Sequence, residues 1–172
     1  QKNSVLKHIK ISINALRTLL AKNYQVIVTY PNNDADGKII IKELINFQSS
    51  LDSKINPLFK LIPSLGGARY HGLLALAQNP KNRIVCVGNS SSGIKEAAAF
   101  SCPVVNIGSR QNGRVRSKNV IDVEHNSEQI IEKIEYCLKN KAYRKAIFKC
   151  TNLYGAANAA DKIVKILLHT KF

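Results

Sequence analysis

Apolar residues Ile9, Ile13, Leu16 and Leu20 recur at i, i+4, i+7 and i+11, which places them on one face of a helix over residues 4–22. The rhythm then changes. Residues 24–30 are β-branched and aromatic and stop at Pro31-Asn32-Asn33-Asp34, the pattern of a buried strand ending in a turn. A helix over 36–50 follows with Ile39, Ile40, Leu44 and Ile45 inward, then a strand over 57–62 closed by Pro63-Ser64 and Gly66-Gly67. A helix over 68–78 leads to a third strand, 83–87, which runs into Gly88-Asn89-Ser90-Ser91-Ser92-Gly93 and a short alanine-rich helix, 94–100. Two more strands are expected at 103–107 and 119–123. Asn126-Ser127-Glu128 caps an amphipathic helix carrying Ile130, Ile131, Ile134 and Leu138, and Lys139 to Lys145 reads as a helix end and turn. A last helix spans about 156–168.

Strands alternating with helices at this spacing predict the α/β class, a doubly wound parallel sheet covered on both faces. With the strand order 2-1-3-4-5, the ligand crevice falls between the carboxyl ends of strands one and three. The loops there are Pro31 to Asp34 and Gly88 to Gly93, both polar.

Composition narrows the picture. With 45% hydrophobic and 22% charged residues in 172, the chain is one globular domain rather than a disordered or fibrous one. No apolar run reaches the ~18 residues of a membrane span, which predicts a soluble, cytoplasmic protein with no membrane partner. The first residue is Gln1 and methionine is absent, which predicts a piece of a longer protein. Cys86, Cys102, Cys137 and Cys150 show no metal-ligand spacing, so reduced, mostly buried thiols are expected and no metal. The formal charge of +15 raises nucleic-acid binding, but the lysines are dispersed along helix exteriors and loops rather than clustered, so no nucleic-acid partner is expected.

The Gly88 to Gly93 loop fits two readings equally: a phosphate site, with glycine freedom, three hydroxyls and a helix start behind it, or a serine-rich N-cap with no ligand. It is neither a Walker loop nor GxGxxG. Glu96, one turn into the expected helix, either faces its positive end or accepts hydrogen bonds from a ribose diol. Arg110, past the fourth strand in a loop framed by Gly108 and Gly113, suits bidentate pairing with phosphate, while Arg114 and Arg116 add charge or face solvent.

The run GNSSSGIKEAAAFSCPVVNIGSRQNGR, Gly88 to Arg114, closely resembles the hydrolysing UDP-N-acetylglucosamine 2-epimerases. The similarity extends to YPNNDADGK (30–38), the turn at 62–66, NVIDV (119–123) and LYGAANAADKIVKIL (153–167), nearly the whole chain. The resemblance implies a Rossmann-like, nucleotide-holding C-terminal domain over 1–172 of a two-domain enzyme of glycosyltransferase-B type. On matching positions it implies that Ser90 and Ser91 hold the diphosphate, Glu96 the ribose and Arg110 the nucleotide side of the cleft. Asn32 would line the pocket from the first loop, and Ser64 belongs to the 62–65 turn whose backbone would face the uracil, with Asn89, Ser92 and Arg114 as further contacts. Helix 155–170 would pack toward an N-terminal domain, the partner that carries the catalytic groups. The implied full-length enzyme is a homo-oligomer that needs no cofactor and converts UDP-N-acetylglucosamine and water to N-acetylmannosamine and UDP.

Two departures stand out. None of His8, His71, His125 and His169 precedes proline, each is expected at the surface, and no catalytic residue is assigned in this chain, which alone should not turn over. Gly155-Ala156-Ala157 replaces a usual Gly-Asp-Gly. The alternatives are an epimerase acting on UDP-diacetylbacillosamine, a glycosyltransferase of the same architecture, and a basic nucleic-acid-binding module.

Overall fold

All four residues of the strand β4 (Val104–Ile107) are buried, as expected of a central strand with helices on both faces. The computed structural model describes residues 2–32, 36–155 and 158–170. Ahead of β4 come α1 (Lys2–Ala21), β1 (Val26–Thr29), α2 (Gly37–Ser49), β2 (Phe59–Ile62), α3 (Gly66–Ala75), β3 (Cys86–Gly88) and α4 (Ser91–Lys95). After it come β5 (Val120–Val123), α5 (Ser127–Lys139), α6 (Lys141–Ile147) and α7 (Ala159–His169).

All strand pairs are parallel. β4 lies between β3 and β5, with Val104 opposite Cys86 and Val120, and β1 pairs β2 from Val26↔Phe59 to Thr29↔Ile62. Alternation sends Val105 and Ile107 to one face, where Ala15 and Leu19 of α1 and Ile130, Ile134, Cys137 and Leu138 of α5 cover them. Val104 points to the other face, packing with Leu74 of α3, Ala77, Ala97 and Cys102. A third cluster joins Leu20, Phe47 and Phe59, the two phenyl rings meeting edge to face at 5.2 Å. Each fully buried side chain of this kind contributes about 1.5–3 kcal/mol of transfer free energy. The helix α5 begins as its sequence suggests, with the Asn126 side chain accepting from the Gln129 N–H at 2.9 Å.

The expected α/β class and parallel pairing hold, with differences. Within the described residues the strands form two sheets, β1-β2 and β3-β4-β5. The expected neighbours β1 and β3 share no ladder, and their outward residues Ile27 and Val87 are 47% and 41% exposed. The third strand is shorter than 83–87 and starts at Cys86. The 68–78 helix starts earlier, at Gly66, and tightens to a 3₁₀ turn over Leu76–Gln78. The alanine-rich helix starts at Ser91, not Ile94, and after five residues gives way to a 3₁₀ turn over Ala97–Phe100, ended by Ser101 at φ 53°. Lys139 to Lys145 is not merely a helix end: Asn140 accepts from the Tyr143 N–H at 2.8 Å and starts α6. The final helix is observed from Ala159, and its expected start at Ala156 and Ala157 lies outside the described residues. Every residue of α7 is exposed, including Ile163, Val164, Ile166, Leu167 and Leu168. No helix among the described residues is long and apolar enough to cross a membrane.

Candidate functional site

Two loops meet at the carboxyl ends of β3 and β4. The first leaves β3 through Gly88, whose φ of 145° is open to glycine and strained for other residues. Ser90 then caps α4, its Oγ accepting from the Ser92 N–H at 3.4 Å and lying 2.9 Å from Ser92 Oγ. A Cβ at Gly93 would stand 3.2 Å from Val104 Cγ1, so this glycine lets the loop settle closely on β4. Tyr70, from α3, donates its hydroxyl to Ser92 Oγ at 3.0 Å, and its oxygen lies 3.8 Å from Cys86 Sγ. Burial pushes both the Tyr70 phenol and the Cys86 thiol well above their ordinary pKa values, so both stay protonated at neutral pH.

The second loop leaves β4 through Gly108, at φ +71°, and carries Arg110 exposed and Gln111 buried. The Gln111 Nε2 donates to the backbone carbonyl of Asn89 at 2.7 Å, which ties the arginine loop to the serine loop. Behind it, Arg116 Nη1 donates to the Gln111 carbonyl at 2.9 Å and its guanidinium pairs with Asp122 at 2.8 and 3.2 Å. Asp122 in turn accepts from Asn106 Nδ2 at 2.7 Å.

Of the sequence-derived candidates, Asn89, Ser90, Ser91, Ser92 and the Arg110 loop are brought together. Ser64 is exposed in its own turn, with Oγ accepting from the Gly66 N–H at 3.1 Å. Asn32 is exposed where β1 gives out, while Asn33 and Asp34 lie outside the described residues. Arg114 is exposed on the flank of its loop. Glu96 is not one turn into the helix: it follows the last residue of α4, so it cannot face the helix's positive end. Its carboxylate instead meets His71 Nε2 at 2.7 Å, both side chains being close to half exposed. A helix of five residues also carries little macrodipole, so the polar character of this end comes mainly from the serine hydroxyls and the arginine. His71 and His169 are exposed as expected, whereas His8 and His125 are half-buried and stacked, with ring centroids 3.5 Å apart.

Tyr70 and Gln111 were not among the candidates. Gln111 sits inside the quoted 88–114 run, but no spacing rule marks it; Tyr70 depends on a contact between elements 22 residues apart. Among the described residues no group of three or more His, Cys, Asp or Glu side chains is arranged to hold a metal. Four cationic residues, Lys141, Arg144, Lys145 and Lys149, line a hollow of about 360 Å³ beside Ile84 and Pro103, at the amino ends of β3 and β4. There Arg144 is engaged with the carbonyls of Pro80 and Asn82.

Residues 1–168 match the family described as UDP-N-acetylglucosamine 2-epimerase. The chain is 37% identical over 160 residues to the UDP-N,N'-diacetylbacillosamine 2-epimerase (hydrolyzing) of Legionella pneumophila, covering 92% of this chain and 38% of that one. It is 36% identical over 163 residues to the GDP/UDP-N,N'-diacetylbacillosamine 2-epimerase (hydrolyzing) of Campylobacter jejuni, covering 94% and 38%. The UDP-N-acetylglucosamine 2-epimerase of Neisseria meningitidis is 31% identical over 119 residues, 69% of this chain and 28% of that one. The chain thus spans about two fifths of the length of the first two of these relatives. With a family match running from the first helix into α7, the chain belongs to the UDP-N-acetylglucosamine 2-epimerase family.

Proposed function

We propose that this chain is the UDP-holding, C-terminal domain of a hydrolysing 2-epimerase of UDP-linked 2-acetamido sugars, with glycosyltransferase-B architecture. The observation that carries the reading is the pairing of the serine loop with the arginine loop through Gln111 and Asn89. In this reading the enzyme removes the C2 proton of the sugar, expels UDP by anti elimination to a glycal, and adds water to give the 2-epimeric sugar and UDP. Expulsion requires donors aimed at the charge that develops on the diphosphate. The hydroxyl chain is suited to that. Ser92 Oγ accepts from the Tyr70 hydroxyl and shares a hydrogen bond with Ser90 Oγ; in this reading the Ser92 hydrogen lies on Ser90 Oγ when the diphosphate binds, which frees the Ser90 hydrogen for a diphosphate oxygen. Ser91 and Arg110 add a hydroxyl and a positive charge, and Glu96 accepts ribose hydroxyls once His71 yields.

The proton-transfer groups belong to an N-terminal domain, which docks on the uncovered apolar face of α7; the 38% coverage of the relatives leaves room for it. The full-length protein is in this reading a cytoplasmic homo-oligomer serving synthesis of sialic acid or a related nonulosonic acid. UDP-N-acetylglucosamine is one sugar substrate; UDP-diacetylbacillosamine is favoured by the two relatives matched over more than nine tenths of the chain.

Calorimetric titration with UDP tests the site. The chain should bind UDP, and Ser90→Ala/Ser91→Ala should abolish detectable binding. Binding that survives the double substitution, or epimerase turnover by these 172 residues alone, overturns the reading.

A further inference from the structure

We propose that Gln111 is a positioning residue that sets the spacing of the serine loop from the arginine loop, and that it serves the site rather than the stability of the fold. Its side chain is 4% exposed although its neighbours Arg110 and Asn112 face solvent. One end of it holds Asn89 by the 2.7 Å hydrogen bond. Its backbone is anchored by Arg116, and Arg116 by Asp122, which Asn106 holds from the buried centre of β4. The serine loop is therefore referred to the rigid middle of the sheet by an unbroken series of polar contacts.

The other end of the amide has no such use. Gln111 Oε1 is buried and has no hydrogen-bond partner among the described residues. A buried acceptor without a partner disfavours the folded state, and an apolar side chain of similar volume would avoid that penalty. Asn89 is exposed, so water can satisfy its carbonyl if Gln111 is removed. Satisfying polar groups thus does not require a glutamine here. What the amide adds is a fixed position for the loop.

The test replaces Gln111 with Leu, and separately with Glu, which keeps the shape but turns a carboxylate oxygen toward the Asn89 carbonyl. Amide hydrogen exchange across residues 88–93 should quicken about tenfold in both variants, because local opening of the loop becomes easier, while the melting temperature of Gln111→Leu stays at or above that of the parent. UDP affinity should fall about tenfold; this readout alone rests on the proposed function. Unchanged exchange in Gln111→Leu overturns the proposal whatever UDP does. Failure of Gln111→Leu to fold, or a melting temperature of Gln111→Leu below that of the parent, also overturns it, since the side chain would then be holding the fold. If the parent binds no UDP yet exchange quickens as expected, the UDP reading falls and the positioning role stands.

Discussion

Tyr70 and Ser92, on two different elements, share a hydrogen bond of 3.0 Å that joins α3 to the hydroxyls of the serine loop. Replacing Tyr70 with Phe removes the donor and lets the Ser92 and Ser90 hydroxyls rotate. One net hydrogen bond contributes about 0.5–1.5 kcal/mol, so UDP affinity should fall roughly three- to tenfold. The phenol is held protonated by burial, then by the neighbouring Cys86, so its contribution to binding should not vary with pH across the neutral range. Titrations of parent and Tyr70→Phe at several pH values check both points; equal affinities would remove Tyr70 from the site.

Stability should depend on pH through a second pair. His8 and His125 stack face to face, 2° from parallel, and His125 Nδ1 is buried without a hydrogen-bond partner among the described residues. Burial, and then His8, lower the pKa of His125 in the fold, with Glu124 opposing. The unfolded chain takes up a proton at this side chain near the ordinary value of about 6.5. Below that pH the unfolded state binds more protons than the folded one, so stability rises with pH through the interval. The contribution is complete above about pH 6.5 and is lost as pH falls through the depressed folded value. Thermal melts from acid to neutral pH should show this decline, and His125→Gln should flatten it. A parent melting curve indifferent to pH there would contradict the assignment.

Neither pair was legible in the sequence, although much of the fold was. Periodicity marks the buried faces of α1 and α5 because each helix is amphipathic and covers one side of a sheet, but in α2 it is off by a residue: Ile45, expected inward, is 44% exposed, and Phe47, which meets Phe59, takes the core position beside Leu44. Short elements are less legible: α4 is set by its Ser90 cap and α6 by its Asn140 cap, together with tertiary packing, which apolar spacing does not register, so α4 starts ahead of the expected 94–100 helix and α6 stands where a helix end and turn is expected. The serine and arginine loops stood out by composition, but Gln111, the residue joining them, differs from its polar neighbours only by burial. Glu96 was misplaced relative to its helix because that helix begins three residues earlier than the alanines suggest.

Thiol chemistry should follow burial. The four cysteines are free, with Cys102 and Cys137 buried. Burial raises the Cys102 thiol to about 12 and the Cys137 thiol to about 11, and it raises Cys86 as well. Since the thiolate is the nucleophile, these three should resist an aromatic disulfide reagent at pH 7.5 in the native chain and react once it is unfolded in denaturant. Rapid native labelling of Cys102 or Cys137, located by peptide mapping, would refute this packing.

Substitution of two glycines in the arginine loop separates backbone strain from side-chain contact. Gly108 and Gly113 both have positive φ, +71° and +80°. Alanine at either site meets the left-handed penalty of about 1–2 kcal/mol. A Cβ at Gly113 would have nothing within 4 Å, whereas at Gly108 it would stand 2.4 Å from His125 Nε2. That ring cannot simply swing aside, because His8 is stacked on it. Gly113→Ala should therefore cost only the strain, and Gly108→Ala about 1–3 kcal/mol more by urea denaturation. Adding His125→Ala to Gly108→Ala should recover most of that excess, a coupling expected of residues in contact. Equal costs at the two glycines, or strict additivity in the double variant, would show that His125 does not constrain the start of the Arg110 loop.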